Sequence, residues 1–170
     1  DWPLQDGSAQ LPGAMGVYVS EVMWWLYRPL TFMIWGGVFE RYPRLRVVIV
    51  EGGTMFMLPP WLRLLDHNYR DVQFSAKLGD FRAHLSMAPS DYYRRNIAVG
   101  ASCVPRSDLE LRAAIGPDQI MWGSDYPHPE GTWPNTAEYF RTTFAGFPEA
   151  DGRKILGGNA VQFYGLDRDK

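Results

Sequence analysis

Cysteine and histidine are scarce in this chain of 170 residues, and their scarcity excludes several kinds of site. Cys103 is the one cysteine, so the chain can form neither an internal disulfide nor a zinc site built from several cysteines. The three histidines form no His-x-His pair and no metalloprotease helix of the His-Glu-x-x-His type. A single cysteine also fits a reducing compartment, and we therefore expect a cytoplasmic protein.

The chain also lacks a cluster of charges of one sign. Its net charge of −2 comes from 17 basic and 19 acidic residues that are spread along the sequence. Because nucleic acids and anionic lipids are bound by concentrated basic patches, we expect neither as a partner. The composition, with 46% hydrophobic and 15% aromatic residues, is typical of a folded domain, and we expect a small-molecule substrate.

An uninterrupted apolar run long enough to span a membrane is missing as well. Residues 17–38 are mostly apolar, but Glu21 and Arg28 lie among them, and each would cost roughly 2.5 to 3.5 kcal/mol at the centre of a bilayer. Pro29 interrupts the run. The sequence therefore predicts two helices of a globular protein, one on each side of Pro29, and no membrane partner.

Short apolar runs, each bounded by turn residues, predict three strands at 47–50, 96–101 and 120–124. The first consists of four β-branched residues and is expected to be buried on both faces, as in a parallel sheet. Helices are predicted between and after the strands, at about 60–69, 81–88, from Ser107, at 136–145 and from about Ala150. Ser107 is expected to cap its helix, with Glu110 as its capping-box partner. Strands separated by helices indicate a parallel α/β arrangement with right-handed crossovers.

Two predicted strands end in a carboxylate. Glu51 follows the first strand and Asp125 follows the third, and the carboxyl ends of parallel strands are where barrel enzymes hold their chemistry. Asp125 could instead cap the turn before Tyr126 and Pro127. Glu51 could act as a general acid or base if burial raises its pKa, or it could pair with an arginine such as Arg63.

Three segments carry a resemblance to a known family: VVIVEGG at 47–53, IMWGSDYPHPEGTWPN at 120–135 and KILGGNAVQFYGL at 154–166. Together they closely resemble the amidohydrolase-related family that contains aminocarboxymuconate-semialdehyde decarboxylase and resorcylate-type decarboxylases. The resemblance implies an α/β chain that is the carboxy-terminal part of a TIM (β/α)8 barrel, with about three βα units and the preceding helices. Since such a barrel typically needs about 250 residues, we expect residues 1–170 to form a single partial domain.

The resemblance also implies roles for particular residues. Asp125 would bind a divalent metal, usually zinc, and help to activate water or substrate. Glu51 stands where decarboxylases of the family carry a histidine that gives and takes a proton, and this departure leaves both hydrolysis and decarboxylation open. His128 and Trp133 would help to form the substrate pocket, although a loop histidine bonded to nearby backbone is an equal alternative for His128.

The implied function is that of a metal-dependent hydrolase or decarboxylase acting on a small carboxylated or cyclic substrate. A catalytic zinc normally has three protein ligands, and the family draws the others from histidines that this chain lacks. The resemblance therefore leaves open whether this chain alone binds a metal. The alternative is a non-catalytic α/β fragment or interaction module without the metal ligands. Its exposed strand edges would pair with another copy, as a homo-oligomer, or with a missing barrel half. Cys103, which follows the second strand, is expected to be buried and inert rather than a nucleophile.

Overall fold

The computed structural model describes residues 11–51, 55–71 and 76–166, so most of the predicted opening loop, 1–13, lies outside the described residues. The strands are β1 (Val47–Val50), β2 (Ile97–Ser102) and β3 (Ile120–Gly123). The helices are α1 (Ala14–Trp35), α2 (Val38–Arg41), α3 (Leu58–Arg70), α4 (Pro89–Asn96), α5 (Arg106–Glu110), α6 (Arg112–Ile115), α7 (Thr136–Thr143), α8 (Glu149–Arg153) and α9 (Asn159–Tyr164). A 3-10 turn (Met55–Met57) precedes α3, and a π-helical segment (Lys154–Gly158) joins α8 to α9.

The three strands form one parallel sheet in the order β1-β2-β3. Val47 pairs with Ile97 and Val99 pairs with Ile120, so the carboxyl ends of all three strands lie at the same edge of the sheet. Helices connect successive strands, as parallel strands require. The predicted parallel α/β arrangement is therefore confirmed, and each strand lies within one residue of its predicted bounds.

The core is centred on β2, whose side chains are mostly buried in one hydrophobic cluster with residues of the helices. β1 differs, because it pairs with β2 on one side only and lies at the edge of the described sheet. Ile49 is buried, but Val50 is 65% exposed. The prediction that residues 47–50 are buried on both faces is therefore wrong for the part of the chain that the structure describes.

Helix α1 runs without a break through Pro29, so the predicted division into two helices at this residue is wrong. Contacts on both sides of the proline explain its tolerance. The Trp61 ring stacks on Tyr27 at 4.9 Å between centroids, and its Nε1 donates a hydrogen bond to the Thr31 hydroxyl at 3.2 Å. The helix ends instead after Trp35, and Gly37 takes the left-handed conformation with φ 67°.

No helix in the described parts of the chain combines the length and the apolar character that crossing a bilayer would need.

Two further helix predictions are corrected by the structure. Residues 81–84 form turns, and the helix begins later, at Pro89, because proline suits the first turn of a helix, where its missing N–H has no partner to lose. Ser107 does not cap a helix: α5 begins one residue before it, and Glu110 accepts a hydrogen bond from Arg106 Nε at 3.3 Å instead. The helices predicted at 60–69, at 136–145 and from Ala150 are present.

Two buried asparagines fasten the amino ends of the outer strands. Asn96 Nδ2 donates to the carbonyls of Pro43 and Leu45 at 3.1 and 2.7 Å, just before β1. Asn159 Nδ2 donates to the carbonyls of Pro117 and Ile120, both at 2.7 Å, where β3 begins. Buried side-chain amides need hydrogen-bond partners, and these two find theirs on the backbone, which fixes the starts of β1 and β3.

Candidate active site at the carboxyl edge of the sheet

Each strand is followed, at or near its carboxyl end, by a residue other than glycine in the left-handed conformation. The φ angles are 54° at Glu51, 49° at Cys103 and 59° at Asp125. Such residues are uncommon, and they cluster at functional sites because the surrounding structure must offset their strain. Since the strands are adjacent and parallel, the three residues follow one another along a single edge. The structure thus brings the two predicted catalytic carboxylates, Glu51 and Asp125, to the same edge, with Cys103 between them in strand order.

The loop after β3 folds back on itself through backbone hydrogen bonds. Asp125 O accepts from His128 N at 2.7 Å, and His128 O accepts from Gly131 N at 2.9 Å. Thr132 N donates to Ser124 O at 3.0 Å and closes the loop. A Cβ atom on Gly131 would lie 2.8 Å from Ser124 O and 3.0 Å from His128 O, so only glycine fits there.

This loop brings His128 against Asp125. The distance between His128 Nδ1 and Asp125 Oδ2 is 3.4 Å, and the two side chains are 57% and 21% exposed. Their separation of three residues in the sequence does not by itself predict a contact. The folded loop nevertheless brings the two side chains together. An imidazole beside a carboxylate can orient the carboxylate through a hydrogen bond. Residues around metal ligands commonly act in this way.

Trp133 lies on an open groove of about 370 Å³ formed with Ser124, Tyr126 and Thr136. The rings of Tyr126 and Trp133 meet edge to face, with centroids 6.1 Å apart and planes at 83°. Both peptide bonds Tyr126–Pro127 and Trp133–Pro134 are cis. The groove therefore has an aromatic lining of two rings set nearly at right angles, and it is formed in part by Ser124 and Tyr126, the residues on either side of Asp125.

Cys103 is half-buried, and its thiol donates to the carbonyl of Glu130 at 3.1 Å. Burial raises the pKa of Cys103, and the nearby carboxylates of Asp125 and Glu130 raise it further. A thiol that keeps its proton is a poor nucleophile. The arrangement agrees with the inert interpretation of Cys103 and places this residue close to Asp125.

Glu51 is exposed in the part of the chain that the structure describes. No ion pair joins it to Arg63 among the described residues, so the suggested pairing is not formed. Proton transfer by a carboxylate at neutral pH normally depends on burial, and the described residues do not bury Glu51. Any such burial has to come from a substrate or from residues outside the described ranges.

Asp108 is a residue of this region that sequence reasoning missed. It is buried at the start of α5 and faces the backbone N–H groups of Met55 and Phe56, in the 3-10 turn before α3. Its Oδ2 atom has no hydrogen-bond partner among the described residues. Burial raises the pKa of Asp108, against the effect of these N–H groups and of the Ser107 hydroxyl. The only signal in the sequence was an Asp at a helix start, which by itself indicates an ordinary cap.

A complete metal centre is not formed by these residues. Within residues 11–51, 55–71 and 76–166, no group of three or more His, Cys, Asp or Glu side chains is placed to hold a metal ion. Asp125 and His128 offer two donors, whereas a catalytic zinc takes three from the protein. The described residues thus do not fit a metal on their own.

Comparison with known proteins shows the family. Residues 25–166 match the family model described as amidohydrolase, and the chain belongs to that family. It is similar to 2-amino-3-carboxymuconate-6-semialdehyde decarboxylase of Dictyostelium discoideum, with 30% identity over 139 residues, 81% of this chain and 36% of that protein. The predicted family resemblance is therefore confirmed.

Solved structures show the fold. The chain is similar to 5-carboxyvanillate decarboxylase from Sphingomonas paucimobilis, with 31% identity and a TM-score of 0.63 over 79% of this chain and 38% of that one. Dihydroxybenzoic acid decarboxylase from Polaromonas sp. JS666, a structure with bound manganese and 2-nitroresorcinol, has a TM-score of 0.60 over 82% and 39%. Its 24% identity supports the fold alone. The chain spans little more than a third of the length of these relatives, and the predicted fold class, part of a TIM barrel, is confirmed.

Proposed function

We propose that the carboxyl edge of this sheet is part of the active site of a metal-dependent decarboxylase or hydrolase acting on a small carboxylated or cyclic substrate. The observation that carries the proposal is Asp125. It stands just beyond the end of β3 in a strained conformation, in contact with His128, in a chain of the amidohydrolase family. Two similar proteins are named as decarboxylases of carboxylated compounds, which supports this substrate class.

In this proposal Asp125 is one ligand of a divalent metal. Zinc is the ion expected from the family resemblance, and the Polaromonas structure contains manganese. Because the described residues supply at most two donors, the others would come from a part of the barrel outside them.

The remaining roles belong to this chain's own side chains. Glu51, at the end of β1, would move a proton at the reacting carbon or oxygen. His128 would orient the Asp125 carboxylate through the 3.4 Å contact and face the substrate with its other ring nitrogen. Trp133 would form the aromatic wall of the pocket, where a planar ring packs favourably.

A second candidate is a non-catalytic interaction module, and it is favoured by the incomplete set of metal donors. The unpaired side of β1, with Val50 exposed, would then serve to bind another chain through its free backbone groups. Such a module would not need the strained conformation of Asp125. A cytoplasmic location, which rests on the single cysteine, also remains a proposal.

The catalytic proposal is tested in a chimera of the Sphingomonas decarboxylase in which the segment matching this chain is replaced by residues of this chain. We expect metal-dependent loss of carbon dioxide from 5-carboxyvanillate. Asp125→Asn should lower kcat/KM by about 100-fold or more, because even residues that only support metal ligands cost 10- to 100-fold. Asp118→Asn, the same change just before the other end of β3, is the matched control and should leave turnover unchanged.

Two outcomes would count against the catalytic proposal. A folded, metal-loaded chimera that keeps its turnover after Asp125→Asn contradicts the role of Asp125. A folded chimera that binds no metal and has no activity favours the interaction module. Glu51→Gln tests proton transfer separately, since an unchanged pH–rate profile would make Glu51 structural.

A further inference from the structure

A small cavity lies at the amino ends of the strands, opposite to the candidate active site. It has a volume of about 130 Å³. Its lining includes Arg46 just before β1, Ile97 at the start of β2 and Gln119 just before β3. Since the strands are four to six residues long, roughly 13 to 20 Å separate the two ends of the sheet. The cavity is therefore separate from the site around Asp125.

The charge of the cavity lining is mostly positive. The described residues that line it include three arginines, Arg46, Arg94 and Arg95, and one acidic residue, Asp118. Asp118 is already paired, because its Oδ1 lies 2.6 Å from Nζ of Lys154. Three cations around so small a space repel one another, and an anion between them would turn that repulsion into attraction.

Two of these arginines have neutral partners. Arg46 Nη1 donates to the carbonyl of Phe163 at 2.8 Å. Arg95 donates from Nη2 to the carbonyl of Phe39 at 2.7 Å and from Nε to Asn96 Oδ1 at 2.8 Å. Within the described parts of the chain, no carboxylate forms an ion pair with either guanidinium. These bonds hold both groups in place, and each guanidinium has further N–H groups to offer a ligand.

The third arginine has a carboxylate partner, but an exposed one. Arg94 Nη1 lies 3.2 Å from Asp91 Oδ1, and the two side chains are 61% and 51% exposed. An ion pair this exposed contributes little, so it does not hold Arg94 away from an anion in the cavity. Glu40 feels the charge of Arg95 at longer range, and its carboxylate already accepts hydrogen bonds elsewhere. Neither carboxylate takes the place of an anion in the cavity.

We propose that this cavity binds a phosphate group, carried either by free phosphate or by a phosphate monoester. Paired N–H groups of a guanidinium match two oxygens of a phosphate, and a doubly charged anion suits three cations better than a single carboxylate does. The volume of about 130 Å³ is several times the roughly 30 Å³ of one water. It is well below the about 300 to 1,000 Å³ of pockets that enclose larger ligands. A tetrahedral oxyanion therefore fits, and an aromatic substrate does not.

Capping of helix ends does not by itself explain the three arginines. Arg46 binds the carbonyl of Phe163 near the end of α9, as arginines at helix ends commonly do. That role needs one arginine, whereas Arg94 and Arg95 reach the same cavity from α4. The two explanations also differ in what they predict. Arginines that only cap helices would give no saturable response to phosphate.

The test is a titration of the 170-residue chain with inorganic phosphate at constant pH, followed by two-dimensional NMR, with sodium chloride added to keep the ionic strength constant. We expect saturable shifts that are largest for the amide signals of residues 94–98 and 118–120. Arg46→Gln and Arg94→Gln should each raise the dissociation constant about 10-fold, because each removes charge-assisted hydrogen bonds to the ligand. Arg44→Gln removes an exposed arginine that does not line the cavity, and it should bind phosphate as the original chain does.

A parallel titration with methyl phosphate distinguishes the two sources of the phosphate group. Tighter binding of inorganic phosphate indicates the free ion, and tighter binding of methyl phosphate indicates a phosphate carried by a larger molecule. Thermal melts by circular dichroism show which variants are folded. Arg94→Gln should melt as the original chain does, because its side chain is mostly exposed.

Two results would overturn the proposal. One is a phosphate titration of the original chain whose shifts do not saturate, as expected of general screening by salt. The other is a folded Arg94→Gln variant that binds phosphate as tightly as the original chain. Arg94→Gln decides the outcome even if Arg46→Gln is unfolded, since Arg46 also holds the end of α9.

Discussion

Asp125 is the residue on which the site depends, and its charge acts on the thiol of Cys103. The negative charge of the carboxylate contributes to the raised pKa of the thiol, after burial and together with Glu130. The thiol therefore reports on the charge of Asp125 without any substrate or metal.

Removing that charge should make Cys103 more reactive. With Asp125→Asn, the pKa of the thiol should fall partway toward its ordinary value, so more thiolate is present at pH 8 and alkylation by iodoacetamide should be a few-fold faster. Asp118→Asn, far along the strand, should leave the rate unchanged. Equal rates for Asp125→Asn and the original chain would show that the two side chains are not neighbours in solution.

The site residues could be predicted only where they follow a strand directly. Glu51 and Asp125 end short apolar runs, and strand ends in a parallel sheet share an edge by geometry alone. The contact between His128 and Asp125 depends on a loop that turns back through Gly131, and no spacing rule encodes that turn. Asp108 was missed for a related reason, since its neighbours Met55 and Phe56 lie more than fifty positions earlier in the chain.

Among the elements, the loop between β3 and α7 depends most on one small residue. Three carbonyl oxygens, those of Ser124, Asp125 and His128, lie within 3.1 Å of the place where a Cβ of residue 131 would be. These carbonyls belong to the backbone and cannot swing aside as a flexible side chain would. The position of Asp125 is thus tied to the presence of glycine at 131.

Gly131→Ala should therefore destabilise the chain by about 1 to 3 kcal/mol, the usual effect of an added atom in a filled space. Urea denaturation followed by tryptophan fluorescence measures the change. Gly123→Ala is the control, because a Cβ there meets nothing within 4 Å, and its effect should stay within about 0.5 kcal/mol. If Gly131→Ala is as mild as the control, the loop is not packed as described.

Sequence patterns predicted the elements unevenly, for physical reasons. The strands were found because four to six apolar residues between turns admit few other structures. Pro29 predicts a boundary because proline usually ends a helix, but contacts from Trp61 to both neighbouring turns hold α1 together. No pattern in the sequence singles out Asn159, although its amide secures the start of β3.

For the molecule as a whole, a carboxylate far from the site joins separate parts of the chain. Glu40 accepts hydrogen bonds from the backbone N–H and the hydroxyl of Ser86 at 3.0 and 2.6 Å, and also from the Tyr92 hydroxyl. These bonds, first of all that from the Ser86 hydroxyl, lower the pKa of Glu40 from its ordinary value of 4.5 to about 2. They link α2 to the segment before α4 and to α4 itself.

Glu40 should make stability depend on acid pH. Between about pH 4.5 and 2 the unfolded chain protonates Glu40 while the folded chain keeps it ionised, so the free energy of unfolding falls as the pH is lowered through this range. Glu40→Gln lacks this contribution to the pH dependence of the free energy of unfolding. Urea titrations measure that free energy at pH 5 and pH 3, and its decrease between the two should be smaller for Glu40→Gln than for the original chain. An equal decrease in both chains would contradict the hydrogen bonds of Glu40.

The chain covers little more than a third of its relatives, and its described residues offer two donors where a catalytic metal needs three. We propose Asp125 as one ligand of that metal, with the other ligands outside the described residues. A weak, localised interaction should survive even with an incomplete set of donors, because the carboxylate is partly exposed and has an imidazole beside it.

Paramagnetic broadening by Mn²⁺ in two-dimensional NMR spectra of the 170-residue chain measures this interaction most directly. We predict that amide signals of residues 124–132 broaden first as Mn²⁺ is added. Asp125→Asn should abolish that selectivity, and Asp118→Asn should leave it intact. Broadening that persists in Asp125→Asn, or that is strongest away from residues 124–132, would contradict the account.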